Sequence, residues 1–267
     1  MKSKKAKSQL CKGNCGFLLF KIMLVSVVLV FNACDDSDEN ENIVMLKPVA
    51  SYYVDILETS DLCFGATKDI LFTVSDNTAK AYKISTTGKV LNEYNFTGND
   101  LEGICFVDNQ YIYVAEERLR KVVKLDLQGN KISEKMIPVE YNTENEGLEG
   151  IAYATFNQHF YILNEMNPGV LIETDKNLNI LNSYELSFAD DYSGICVDNV
   201  NKELWILSDL SSTANKCSMQ GEIMESFDVP VTNPEGIAFY PQDSTMYIIS
   251  DSQSRLYKFD LKTSKKK

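Results

Sequence analysis

Acidic residues recur at two fixed points along this chain, and carboxylates gathered in this way can hold a hard cation or exchange a proton. The first point is the Glu of Leu101-Glu102-Gly103-Ile104, Leu148-Glu149-Gly150-Ile151 and Pro234-Glu235-Gly236-Ile237. A fourth copy, Tyr192-Ser193-Gly194-Ile195, carries Ser, and a degenerate first copy reads Ser60-Asp61-Leu62. The second point closes the next apolar run, at Asp76, Glu116, Glu165, Asp209 and Asp251. Carboxylate oxygens converging from several directions suit Ca²⁺, whereas Zn²⁺ prefers His and Cys. Ca²⁺ is therefore the expected cofactor. Its ligands are expected first among Glu102, Glu149 and Glu235, and second among Asp209, Asp251, Glu165, Glu116 and Asp76. The competing reading is structural, because an Asp at a strand end often caps a turn through an Asx-type hydrogen bond.

The spacing predicts the elements that carry these residues. Steps along the first column are 42, 47, 44 and 42 residues, a period that indicates one supersecondary unit repeated into a propeller or solenoid. The third copy shows four short apolar runs, at 149–154, 159–164, 169–174 and 180–186, separated by Asn-, Pro- and Gly-containing turns. Four strands per repeat of this length is the propeller pattern, and no long 3.6-residue period follows residue 43. Fourteen to sixteen residues separate the two acidic points in each copy. That length holds two six-residue strands and a turn, so both columns fall on one rim. The last copy lacks a fourth strand, and Ser51–Leu57 resembles the fourth strands of the others. The expected fold is thus an all-β, five-bladed propeller whose N-terminal strand completes the last blade. Six blades are the alternative.

Composition narrows the function. The chain has 267 residues, 26 basic and 38 acidic. Six of the lysines lie in the first 33 residues, so the remainder carries 20 basic and 38 acidic residues, a net −18. Nucleic acid is excluded as a partner, since phosphate contacts need a basic face. Residues 1–33 read as a signal peptide: a Lys-rich start, then the apolar run Ile22–Ala33, too short for a span of about 20 residues. Ala33-Cys34 is similar to a bacterial lipobox, which makes Cys34 the lipidation site. The acidic run after it resembles the export tag of surface lipoproteins. Residues 34–47 then form a tether, 48–262 the propeller, and 263–267 a basic tail. The expected location is the outer membrane, with surface exposure implied by that tag and an uncleaved inner-membrane anchor as the alternative. Cys63, Cys105 and Cys196 share one repeat position and read as small buried hydrophobes. His159 reads as a surface turn residue, which argues against His-based catalysis. Arg118, Arg120, Lys121 and Arg255 read as solvated loop residues.

The Leu-Glu-Gly-Ile, Tyr-Ser-Gly-Ile and Pro-Glu-Gly-Ile-Ala-Phe motifs, with the strand ends Ile-Leu-Ser-Asp (206–209) and Ile-Ile-Ser-Asp (248–251), resemble the SdiA-regulated, YjiK-like family of bacterial propellers. The resemblance covers about residues 48–262. It implies a five-bladed propeller, distant kinship to NHL repeats and a Ca²⁺ site, and carries no settled activity. Three functions follow: a Ca²⁺-containing module that binds a ligand or protein at the channel mouth of a monomer, a Ca²⁺-dependent hydrolase of phytase or lactonase type, or a structural scaffold.

Overall fold

The structure, a computed structural model, describes residues 44–139 and 146–263. The leader, Cys34 and the basic tail beyond Thr263 lie outside the described residues. No helix occurs among the described residues, and none is long and apolar enough to cross a membrane.

Two strands, β1 (Val44–Met45) and β2 (Pro48–Tyr53), precede the repeats. Blade one contains β3 (Thr59–Phe64), β4 (Ile70–Ser75), β5 (Lys80–Ser85) and β6 (Val90–Glu93). Blade two contains β7 (Leu101–Val107), β8 (Tyr111–Glu116), β9 (Lys121–Asp126) and β10 (Lys131–Met136). Blade three contains β11 (Leu148–Ala154), β12 (His159–Asn164), β13 (Val170–Thr174) and β14 (Ile180–Glu185). Blade four contains β15 (Gly194–Asp198), β16 (Glu203–Ser208), β17 (Thr213–Cys217) and β18 (Ile223–Asp228). Blade five contains β19 (Pro234–Tyr240), β20 (Thr245–Ser250) and β21 (Arg255–Asp260), completed by β2. The innermost strands β3, β7, β11, β15 and β19 touch in sequence, and β19 returns to β3, so the ring of five closes.

Each blade buries both faces against its neighbours, which explains the near-continuous apolar second strands such as Ile70–Ser75 and Glu203–Ser208. Aromatic side chains fill the wedge between blades. Phe106 of blade two stacks on Phe72 of blade one at 4.8 Å, and Phe239 of blade five packs on Trp205 of blade four at 5.3 Å.

The closing strand sits three residues earlier than the sequence pattern suggests, at Pro48–Tyr53 rather than Ser51–Leu57. The reason is an anchor residue that follows every outer strand. Val54, Tyr94, Ile137, Leu186 and Val229 are each buried there. Each donates its backbone N–H to a carbonyl of the turn or strand beside it, Val54 to Ser254 and Leu186 to Gly169 at 2.9 Å each. Val54, and not Leu57, is therefore the counterpart of Leu186; Leu57 is 60% exposed. Packing also begins before Pro48. Strand β1 pairs in parallel with β18, Val44 against Phe227, and Val44 and Leu46 are buried in the core between blades four and five.

Candidate metal centre

The rim where the innermost strands begin is a cavity of about 490 Å³. The first column reaches it through a β-bulge. Opposite β8, Leu101 pairs with Glu116 and Gly103 with Ala115, so Glu102 has no cross-strand partner; Glu235 is skipped in the same way between Pro234 and Gly236. A bulge re-aims the extra residue's side chain, here toward the channel mouth. Glu102, Glu149 and Glu235 all line the cavity, with Ser60 and Ser193 in the other two blades.

The second column is the residue just past each second strand. Asp76, Glu165, Asp209 and Asp251 line the cavity as expected. Blade two requires a correction. Glu116 is the last residue of β8 and lies outside the cavity lining; it is buried, with Oε1 accepting the Asn99 N–H at 3.0 Å and Oε2 on Lys121 Nζ at 2.7 Å. The residue at that repeat position is Glu117. Blade two carries two adjacent acids and a hairpin one residue shorter, which shifts the count by one. Glu116 takes the place of Ser75, Asn164, Ser208 and Ser250, the strand-end residues that tie down the turns.

Those strand-end hydroxyls also answer the capping question. Ser75, Ser208 and Ser250 Oγ accept the N–H groups of Thr78, Ser211 and Gln253 at 3.0–3.3 Å. The Ser caps the turn, so the Asp after it is not needed for that purpose. The acids are placed instead by their backbones: the N–H groups of Asp76, Glu117, Glu165 and Asp251 donate to Glu58, Asp100, Gly147 and Asn233 carbonyls at 2.9–3.2 Å.

Those acceptors mark a third column that sequence reasoning missed. It lies two residues before the first column and supplies Glu58, Asp100 and Asp191 to the cavity. The sequence trace of this column is its residue types, Glu58, Asp100, Asp191 and Asn233 in four of the five copies. Among the described residues the cavity is lined by eleven carboxylates and one cation, Arg118, whose Nε sits 2.6 Å from Asp100 Oδ2. Arg118 is thus part of the mouth. Arg120 is buried and donates to the Glu117 carbonyl at 3.2 Å, while Lys121 binds Glu116 and Glu134. His159 begins β12 with Nδ1 2.7 Å from Glu173 Oε1, away from the cavity lining.

Two groups of three carboxylates stand out. Asp76, Asp100 and Glu102 offer oxygens within 4.8 Å of one another, and so do Glu117, Glu149 and Glu165. Each group joins two neighbouring blades. Ca²⁺ takes ligands at 2.3–2.6 Å, so two oxygens on opposite sides of one ion lie about 5 Å apart, and both groups fit that span. The donor set is oxygen throughout, which suits a hard cation. The expected trio is divided between the groups: Glu102 belongs to one, Glu149 to the other, and Glu235 to neither.

Crowding without a cation pushes these acids up. Burial, then the carboxyl of Asp100, raises Asp76 to about 6 and Glu117 to about 8. Burial, then neighbouring acids, raises Glu165 to about 7 and Glu235 to about 8. Glu102 and Glu149 are raised well above the usual carboxylate range, first by burial. In the unfolded chain such groups titrate near 4–4.5. Between pH 5 and 8 the metal-free native state therefore binds protons that the unfolded state has released, and stability falls as pH rises through that window. In chelator, the melting temperature is expected to drop by roughly 5 °C or more from pH 5 to pH 8. A flat or rising profile would show that the acids are not crowded.

A protein-family model described as SdiA-regulated matches residues 44–260. The chain belongs to the SdiA-regulated family. The matched segment runs from the start of β1 to the end of β21. Among solved structures, this SdiA-regulated propeller is similar to a glutaminyl cyclase from Myxococcus xanthus, with 14% identity and a TM-score of 0.60 over 81% of this chain and 97% of that one. It is also similar to the hydrazine synthase of Kuenenia stuttgartiensis, with 14% identity and a TM-score of 0.50 over 73% of this chain. The match spans 56% of the hydrazine synthase chain. At these identities the likeness is one of fold.

Proposed function

We propose that the acidic mouth binds Ca²⁺ and that this SdiA-regulated propeller is a ligand- or partner-binding module of the bacterial envelope. The observation that supports the metal is the pair of three-carboxylate groups, Asp76–Asp100–Glu102 and Glu117–Glu149–Glu165, on one cavity. A binder is favoured over a hydrolase because the lining is almost wholly anionic, with Arg118 as its single cation among the described residues. The neighbours in fold carry unlike activities, so the fold selects none of them. Lipidation at Cys34 would hold the module at the outer membrane, with the mouth open to a small ligand or a protein segment that completes the cation's coordination.

Calorimetric titration of chelator-stripped protein tests the metal. Stoichiometric Ca²⁺ binding is expected, weakened about tenfold or more by Glu117→Gln, a loss of at least about 1.4 kcal/mol. Glu116→Gln, outside the cavity, should leave affinity within about twofold. No binding at millimolar Ca²⁺, or equal loss in both variants, would remove the proposal.

A further inference from the structure

Below the mouth, the innermost strands meet at the residue that follows each first-column position. Four of the five are glycines. A Cβ on Gly103 would lie 2.8 Å from the Glu149 carbonyl oxygen, and one on Gly194 would lie 2.9 Å from that of Glu235. Blade one departs from this pattern with Asp61, which is fully buried and held in a left-handed backbone at φ 29°. That conformation is ordinary for Gly and disfavoured for a residue with a side chain.

The carboxylate of Asp61 is what occupies the axis. Its Oδ1 accepts the N–H of Leu62 at 2.8 Å. Its Oδ2 accepts the N–H of Ile104 in blade two at 2.8 Å and that of Ile151 in blade three at 3.5 Å. Main-chain donors of three blades therefore converge on one carboxylate, and backbone N–H groups converging in a concavity form an anion site. Beyond it lies a separate cavity of about 240 Å³ at the opposite end, lined by Cys63, Cys105, Cys196, Phe106 and Phe239 among others.

We propose that the propeller axis is an anion-binding nest of backbone amides, filled by the protein's own Asp61 carboxylate, which ties the first three blades together and closes the channel between the acidic mouth and the thiol-lined cavity. With the side chain removed, the nest should accept a small planar carboxylate.

Asp61→Gly gives the discriminating result. Glycine restores the residue of the other four blades and relieves the left-handed backbone, so an aspartate that is merely tolerated predicts an unchanged or higher melting temperature. The nest predicts a fall on the order of 10 °C, since buried donors lose their acceptor. About 100 mM formate should then recover at least half of the fall while leaving the wild type unmoved, as expected for a ligand bound by the native state alone. Sulfate, which stabilises by exclusion from the surface, should raise both proteins equally. Asp61→Asn fills the site but sets one N–H against another; it should lose a few degrees and ignore formate. A wild-type melt for Asp61→Asn, a stable Asp61→Gly, or a formate response shared with the wild type would each overturn the proposal.

Discussion

Glu149→Gln is expected to melt above the wild type at pH 8 in chelator, and below it once about 1 mM Ca²⁺ is added. The reversal follows from the position of Glu149. Its carboxyl is raised by burial and then by Glu102, Glu165 and Glu117, so removing its charge relieves repulsion in the metal-free state. The same charge belongs to the three-carboxylate group that would hold the cation. A ligand at about 100 times its dissociation constant stabilises by about 2.7 kcal/mol, which for a domain of this size is a shift of about 5–10 °C. The variant should show less than about a third of that shift. Because the ligands must be deprotonated, Ca²⁺ should also flatten the decline in stability between pH 5 and 8. Two proteins that shift equally with Ca²⁺ would place the metal elsewhere, and an unchanged order in chelator would mean that Glu149 bears no strain from its neighbours.

A chain beginning at Leu57 is expected to lose cooperative folding. The deletion removes β1 and β2, leaves β21 as an unpaired edge and strips four buried apolar residues, Val44, Leu46, Val54 and Ile56. At about 1.5–3 kcal/mol for each such side chain, the loss is about 6–12 kcal/mol. That is comparable with the whole stability of a typical domain, about 5–15 kcal/mol. Far-UV circular dichroism with thermal and denaturant melts would read the outcome. A single transition within about 5 °C of the intact protein would mean that three strands suffice for blade five. The same parallel pairing of β1 on β18 makes the N-terminal segment bridge two blades, so its removal loosens blade four as well.

Much of this architecture is legible in the sequence because it depends on local, repeated physics. Strand lengths and turn residues repeat with the period, and β11 to β14 fall within one residue of the four apolar runs of the third copy. What was not legible depends on frame and on three-dimensional convergence. The closing strand was displaced because SYYVDIL matches ILNSYEL in apolar pattern, while the true anchor, Val54, is recognised by its burial. Glu116 and Glu117 cannot be told apart in sequence, because adjacent acids offer no signal for which one ends the strand. Glu58, Asp100 and Asp191 precede the apolar motifs, in loops whose position over the mouth is visible only when the ring is closed. Asp61 reads in sequence as a degraded Glu-Gly pair, and its contacts to residues 43 and 90 positions away have no local trace.

Ser60 and Ser193 give the mouth a direction. Five identical blades would offer a bound ligand five interchangeable poses. With serines in blades one and four, Glu102 and Glu149 stand on adjacent blades while Glu235 stands alone between the two serines. Arg118 adds a positive mark on the side of blade two. A molecule held at two points would settle at one azimuth around the axis, and the near-symmetric ring would then distinguish one end of it from the other.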